Sequence, residues 1–174
     1  MSTHRTVQVG SFVRHSKFGL GHAKHVVHCP GTDGYGQPGC RCEATIAFEV
    51  GEKRLLLRYA PVEVLAGRHD FDSPPELRLY LNMVAAGMPL PAIQYRIGRY
   101  RVDLAYPVIK LAIEVDGLEF HGSQQAFIKD QKRQRDIQNE GWTVIRFAAK
   151  EVNINSSGCV QEIARMASRM AAEQ

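Results

Sequence analysis

Two stretches of the 174-residue chain carry carboxylates at a spacing that could grip a cation. They are Tyr100-Arg-Val-Asp103-Leu-Ala-Tyr106 and Leu111-Ala-Ile-Glu114-Val-Asp116-Gly117. Both read as strands, joined by a short turn that opens at Pro107. A turn centred between Val108 and Ile109 sets Asp103 opposite Glu114 and Arg101 opposite Asp116. Side chains alternate across a sheet. Arg101, Asp103, Ala112, Glu114 and Asp116 are therefore expected on one face. Val102, Leu104, Ile113 and Val115 are expected on the other, in the core. Like charges directly opposed destabilise a sheet. A hard divalent cation, Mg²⁺ or Mn²⁺, offsets them through oxygen ligands and could lower the pKa of a bound water for phosphodiester hydrolysis. His121 follows Asp116 after Gly117 and could carry a proton near neutral pH. The plainer reading stands beside it: a solvated acidic face neutralised by Arg101, and a surface histidine.

A basic helix is expected next, over about Ser123 to Asn139. Lys129, Lys132, Arg133 and Asp136 recur at i, i+3, i+4 and i+7 and share a face. Arg96, Arg99 and Arg101 form a second basic strip. Cations beside an acidic site suit a polyanionic substrate, so Lys129, Lys132, Arg133 and Arg101 are candidate DNA-backbone contacts. A solvated face of Asp–Arg pairs is the alternative. Trp142 and Phe147 read as core anchors of a strand.

Taken in order, Ser73-Pro-Pro-Glu76, Val102-Asp103, Ile113-Glu-Val-Asp-Gly117, His121, Asp130-Gln-Lys-Arg133 and Gly141-Trp-Thr-Val-Ile-Arg-Phe147 resemble the very-short-patch-repair-like endonuclease domains of the PD-(D/E)XK superfamily. The likeness covers about residues 73–164. It implies a restriction-endonuclease-like mixed sheet flanked by helices, and a Mg²⁺-dependent endodeoxyribonuclease active in DNA repair or processing. It implies Asp103 and Glu114 as metal ligands, the Val115 carbonyl as a third, and His121 near the scissile phosphate. Asp116 fills the superfamily's lysine position and is a candidate catalytic residue. Glu76 is explained by a helix cap and equally by the helical glutamate that such nucleases bring to the active site.

Behind these residues stands an α/β scaffold. Ser73 reads as an N-cap, with Pro in the first turn and Glu76 completing a capping box. Leu77, Leu81 and Val84 follow helical spacing, and Gly87 and Pro89 stop the helix. Thr143–Phe147 lies in a further strand. Val160, Ile163, Met166, Ala167 and Met170 stripe a last helix, with Cys159 on its apolar side.

The first 66 residues differ. Short strands at Ser11–Arg14, Gly21–His28, Ala44–Phe48 and Arg54–Arg58, with a turn at Val50–Lys53, suggest a small closed barrel. Gly10-Ser-Phe-Val-Arg-His-Ser-Lys-Phe-Gly19, Ala44-Thr-Ile-Ala-Phe-Glu49 and Leu55-Leu-Leu-Arg-Tyr-Ala-Pro61 resemble the SH3-like, Tudor-like domain at the C-terminus of UvrD-type helicases, over about residues 9–65. That likeness implies a targeting module, 1–66, that contacts RNA polymerase, a repair helicase or nucleic acid. A linker, 67–72, then leads to the nuclease domain, 73–174. Cys29, Cys40, Cys42 and His28 could hold Zn²⁺. Their spacing fits no standard finger, and a flexible insertion with free thiols is the competing reading. A non-catalytic adaptor that keeps a nuclease fold without turnover is the rival for the whole chain.

Composition sets the bounds. Hydrophobic residues make up 44% and charged residues 23%, as in folded globular proteins. No apolar run approaches the ~20 residues of a membrane span, and the first ten residues hold no apolar core of a secretion signal. A cytoplasmic protein is expected. The formal net charge of +4 permits nucleic-acid binding without arguing for it.

Overall fold

The computed structural model describes residues 7–27, 42–57, 59–60, 62–117 and 124–173. The chain divides into two compact units, Met1–Asp70 and Phe71–Gln174.

The first unit is one antiparallel sheet. Its strands are β1 (Ser11–His15), β2 (Gly19–Val27), β3 (Glu43–Phe48), β4 (Gly51–Leu56) and β5 (Val62–Gly67), paired in the order β4-β3-β2-β1-β5. β4 and β5 are the two edges, so among the described residues the sheet is not closed into the expected barrel. β1 and β3 bury alternate residues, and Val13, Ala23, Ala44, Ile46, Phe48 and Leu57 form the core with Cys42. Gly21 is demanded by a close approach: a Cβ there would stand 2.6 Å from Ile46 and Phe48 side chains. The β3–β4 turn is tighter than the sequence suggests. Phe48 pairs with Gly51, which leaves only Glu49 and Val50 in the loop and puts Glu52 and Lys53 on the strand. The stretch 67–72 opens as the last residue of β5 and a 3₁₀ turn, Arg68–Asp70, closed by the Gly67 amide donating to the Asp70 carboxylate at 2.9 Å.

The second unit is a four-stranded sheet with helices on both faces. In chain order it runs α1 (Pro74–Ala85), β6 (Ala92–Ile97), β7 (Tyr100–Tyr106), β8 (Leu111–Asp116), α2 (Gln124–Asn139), β9 (Thr143–Ala148) and α3 (Ala149–Ala172). The sheet order is β6-β7-β8-β9. β6, β7 and β8 pair antiparallel; β8 and β9 pair parallel, which requires the α2 crossover between them. Five of the six residues of β8 are buried, because both faces of this strand are covered. Ala112 and Val144 pack beneath α2 with Ile137 and Trp142. α1 and α3 lie against each other and against β8. Trp142 and Phe147 are core residues, 9% and 2% exposed.

Three local features differ from the sequence reading. β6 is an extra strand, whose polar centre at Gln94–Arg96 hides its pairing. α1 buries Leu79, Tyr80, Met83 and Val84, so Leu77 and Leu81 sit at the margin of its inner face. α3 starts at Ala149, well before its apolar stripe, and is broken at Asn155 (φ −141°, ψ 57°). The Asn155 side chain accepts from the Gly158 amide at 3.1 Å and restarts the helix.

Candidate functional site

The site grows from a fork between two strands. The β7–β8 ladder has the expected register, with Tyr106 opposite Leu111, Ala105 opposite Ala112 and Leu104 opposite Ile113. Beyond that pair the amide of Val115 donates to the Asp103 carboxylate at 2.8 Å. A side chain thus takes a backbone hydrogen of the neighbouring strand.

The same point breaks the alternation of β7. Val102 belongs to one cluster with Ala105, Ala112, Ile137 and Trp142, although Val102 and Ala105 are an odd number of residues apart. Its partner Tyr95 lies 5.5 Å from the Trp142 ring, on the α2 side. Between Ile93 and Tyr95, Gln94 takes a left-handed φ of 49°. Both strands therefore switch faces beside Asp103. The expected two-faced sorting fails here: Val102 lies on the α2 side rather than with Leu104.

Glu76 enters from the N-terminus of α1. Ser73 caps the helix, its hydroxyl accepting from the Glu76 amide at 3.5 Å and donating to the Glu76 carboxylate at 2.6 Å. The Asp72 amide (3.1 Å) and the Gln94 side-chain amide (2.9 Å) also donate to Glu76, which is 4% exposed. Three donors meet this buried carboxylate, as its burial requires. Capping and proximity to Asp103 both hold, since the charge on Glu76 acts on the Asp103 carboxyl.

Asp103 has no cation to offset its charge among the described residues. Burial pushes its carboxyl up to about 6; the Val115 amide opposes the shift, and the charges of Glu76, Glu114 and Asp72 reinforce it. Glu114 is the reverse case. It is 5% exposed, and Arg133 grips both its oxygens, with Nη1 at 2.8 Å from Oε2 and Nη2 on Oε1. Arg146, its partner in the parallel ladder, brings Nε to 3.1 Å from Oε2. Arg146 is held in turn by both oxygens of Asp130, at 2.7 and 2.9 Å. Hydrogen bonding to Asp130 raises the Arg146 pKa and lowers that of Asp130. Asp116 stands at the exposed end of β8. Partial desolvation raises its carboxyl, with Arg146 opposing and Glu114 and Asp130 adding.

The basic residues divide. Lys129 is exposed. Lys132 pairs with Asp136 at 3.0 Å, and Arg101 pairs with Asp72. Arg133 turns inward to Glu114 and to the carbonyl of Arg101 at 2.8 Å. Asp136 is held at about 2, first by the Tyr100 hydroxyl at 2.6 Å, then by Lys132 and Arg99. His121, His28, Cys29 and Cys40 lie outside the described residues. Cys42 is buried in the core of the first unit. Among the described residues no group of three or more His, Cys, Asp or Glu is arranged to hold a metal.

Asp103 nevertheless suits a hard cation. Its carboxylate is crowded by negative charge, carries one amide hydrogen bond, and stands beside the Val115 backbone. Glu114 suits one only by sharing oxygens that two arginines now hold. Sequence reasoning missed Arg146, Asp130 and Gln94 as parts of this network. Only the parallel pairing of β8 with β9 brings Arg146 beside Glu114, and nothing local announces that pairing.

The arrangement is a mixed sheet with a carboxylate fork on its central strands, and residues 76–166 match the family model REase_MTES_1575. The chain belongs to this restriction-endonuclease-like family. The matched segment includes Glu76, Asp103, Glu114, Asp130, Arg133 and Arg146, and the Asp72 and Ser73 donors to Glu76 lie just before it. The chain is also similar to two uncharacterized proteins of Mycobacterium tuberculosis, MT2308 of strain CDC 1551 / Oshkosh and Rv2248 of strain ATCC 25618 / H37Rv. Each is 28% identical over 128 residues, 71% of this chain and 46% of the relative. The chain thus spans about half the length of these relatives. Among solved structures it is similar to the catalytic domain of the homing endonuclease I-Bth0305I, with 21% identity and a TM-score of 0.47 over 57% of this chain and 98% of that one. Among the described residues no helix is long and apolar enough to cross a membrane.

Proposed function

We propose that the second unit is a divalent-cation-dependent DNA endonuclease with Asp103 as its principal ligand. The observation that carries this reading is the geometry at Asp103: its carboxylate is fixed by the Val115 amide at 2.8 Å where β7 and β8 fork, partly withdrawn from water, with the charges of Glu76 and Glu114 acting on it. A buried anion crowded by anions is held ready for a cation. Membership of the restriction-endonuclease-like family supports the reaction class.

Asp103 would hold Mg²⁺ or Mn²⁺, with Glu114 and the Val115 carbonyl completing the protein donors. When bound, the ion supplies charge for the phosphate oxygens and a more acidic water. The Val115 amide fixes the Asp103 carboxylate. Arg146 and Asp130 fix Glu114 from the α2 side. Asp116 stands at the open end of β8, and His121 follows it in sequence as the proton carrier. Glu76 holds the N-terminus of α1 beside Asp103. Lys129, Lys132 and Arg101 are the exposed cations for a DNA backbone. The first unit is proposed as a Tudor-like recruiting module for RNA polymerase or a repair helicase, within DNA repair or processing.

A second reading has one observation in its favour. The two guanidinium groups on Glu114 could be a permanent replacement for the ion, leaving a DNA-binding adaptor without turnover. Nicking of supercoiled plasmid in Mg²⁺ or Mn²⁺ separates the two. The nuclease reading expects activity abolished by EDTA and reduced at least about a hundredfold in Asp103→Ala and Glu114→Ala. Equal nicking by all three proteins would leave the adaptor.

A further inference from the structure

Glu114 holds two arginines, and they are not equivalent. Arg146 is neutralised by both oxygens of Asp130, so its position does not depend on Glu114. The side-chain bonds of Arg133 go to Glu114 and to the carbonyl of Arg101. Arg133 keeps a quarter of its side chain in solvent, on a helix whose other cations, Lys129, Lys132 and Arg135, are exposed. It is the arginine of the pair that can leave.

Resting on the nuclease reading, we propose that Arg133 occupies, in the free protein, the place at Glu114 that a divalent cation takes, and that a DNA backbone phosphate draws Arg133 away as the strand docks. A carboxylate offers about four lone-pair sites. The two Arg133 nitrogens hydrogen-bond both Glu114 oxygens, while the Arg146 Nε stands 3.1 Å away as an ion pair without a hydrogen bond. Arg133 is therefore the group that takes a lone pair of each oxygen from a hard ion that demands its own geometry. A guanidinium beside an incoming dication also repels it. A phosphate offers Arg133 the same bidentate geometry as a carboxylate. After the exchange Arg133 pairs with phosphate, Glu114 faces the ion, and Arg146 still fixes the Glu114 carboxylate. No charge is left buried and unpaired. Metal and DNA then bind with positive coupling, and the coupling runs equally in both directions.

The test is Mn²⁺ affinity of the full chain, read from the electron paramagnetic resonance of free Mn²⁺. It is measured with and without a short phosphorothioate duplex that resists cleavage. Without DNA, Arg133→Gln is expected to bind Mn²⁺ about tenfold more tightly than wild type. The duplex is expected to tighten binding to the wild type by a similar factor and to leave Arg133→Gln unchanged. Arg133→Lys, which keeps one charge and loses the fork, should fall between the two and decides the matter if Arg133→Gln fails to fold. Measurable Mn²⁺ binding by the wild type, unaltered by the duplex and not improved in Arg133→Gln, overturns the exchange while leaving the nuclease reading intact. No Mn²⁺ bound by any form overturns both.

Discussion

Arg146 donates both terminal nitrogens to Asp130, at 2.7 and 2.9 Å, and turns its Nε to Glu114 at 3.1 Å. One side chain thus ties β9 to α2 and to β8. Its reach depends on the parallel ladder that sets Glu114 beside Arg146. The pair is mostly removed from water, with side chains 23% and 6% exposed. Breaking it from one side leaves charges buried.

Arg146→Ala should therefore destabilise the second unit by about 2–4 kcal/mol. Asp130→Asn should cost less, because Arg146 keeps Glu114. The double variant should lose less than the two single losses combined, since both remove one network. Urea unfolding followed by the fluorescence of Trp142, the only tryptophan of the chain, measures all three.

Asp103→Asn should stabilise the metal-free protein and abolish nicking. The folded value of about 6 lies above the usual 3.8. Between those pH values the folded state holds a proton that the unfolded state has released. Stability is therefore lost as pH rises through that window. At pH 7.5 the ionised carboxylate costs about 1–2 kcal/mol once solvent screening is allowed for. Asparagine can still accept the Val115 amide without that charge. Thermal melts should show the variant ahead of wild type at pH 7.5, with the gap closing near pH 4. A gap independent of pH would contradict this origin.

Ser73→Ala should lower stability by about 1 kcal/mol through loss of the α1 cap. Glu76→Gln should cost less than about 1 kcal/mol, because the amide oxygen can keep the Asp72 and Gln94 donors while the amide NH2 turns to the Ser73 hydroxyl, which now donates there. Thermal midpoints of the two variants check this.

Gly21→Ala should destabilise the first unit by about 1–3 kcal/mol, because the added methyl meets Ile46 and Phe48 at 2.6 Å. Hydrogen exchange should quicken in β1–β3 and stay unchanged in β8. Uniform quickening across both units would contradict a local clash.

Much of the second unit is legible in the sequence because its signals are local. The turn after Pro107 sets the register of Leu104 with Ile113, and Ser73 with two prolines announces α1. What stays hidden is long-range or irregular. The positive φ of Gln94 and the face switch at Asp103 follow from no periodicity. β6 carries polar residues at its centre, so alternation does not mark it. The inward turn of Arg133 cannot be read from a helical face shared with Lys132. It depends on where α2 crosses the sheet. In the first unit four of the five strands are legible and β5 is not; closure into a barrel depends on edge pairing that strand patterns do not encode, and among the described residues β4 and β5 do not pair.

Anomalous diffraction from a crystal soaked in Mn²⁺ bears most directly on the cation site. The expected result is a peak roughly 2.0–2.4 Å from an Asp103 carboxylate oxygen, absent in Asp103→Asn. A peak elsewhere in the molecule, or an Asp103 carboxyl that binds no ion at Mn²⁺ concentrations where plasmid is nicked, would contradict it.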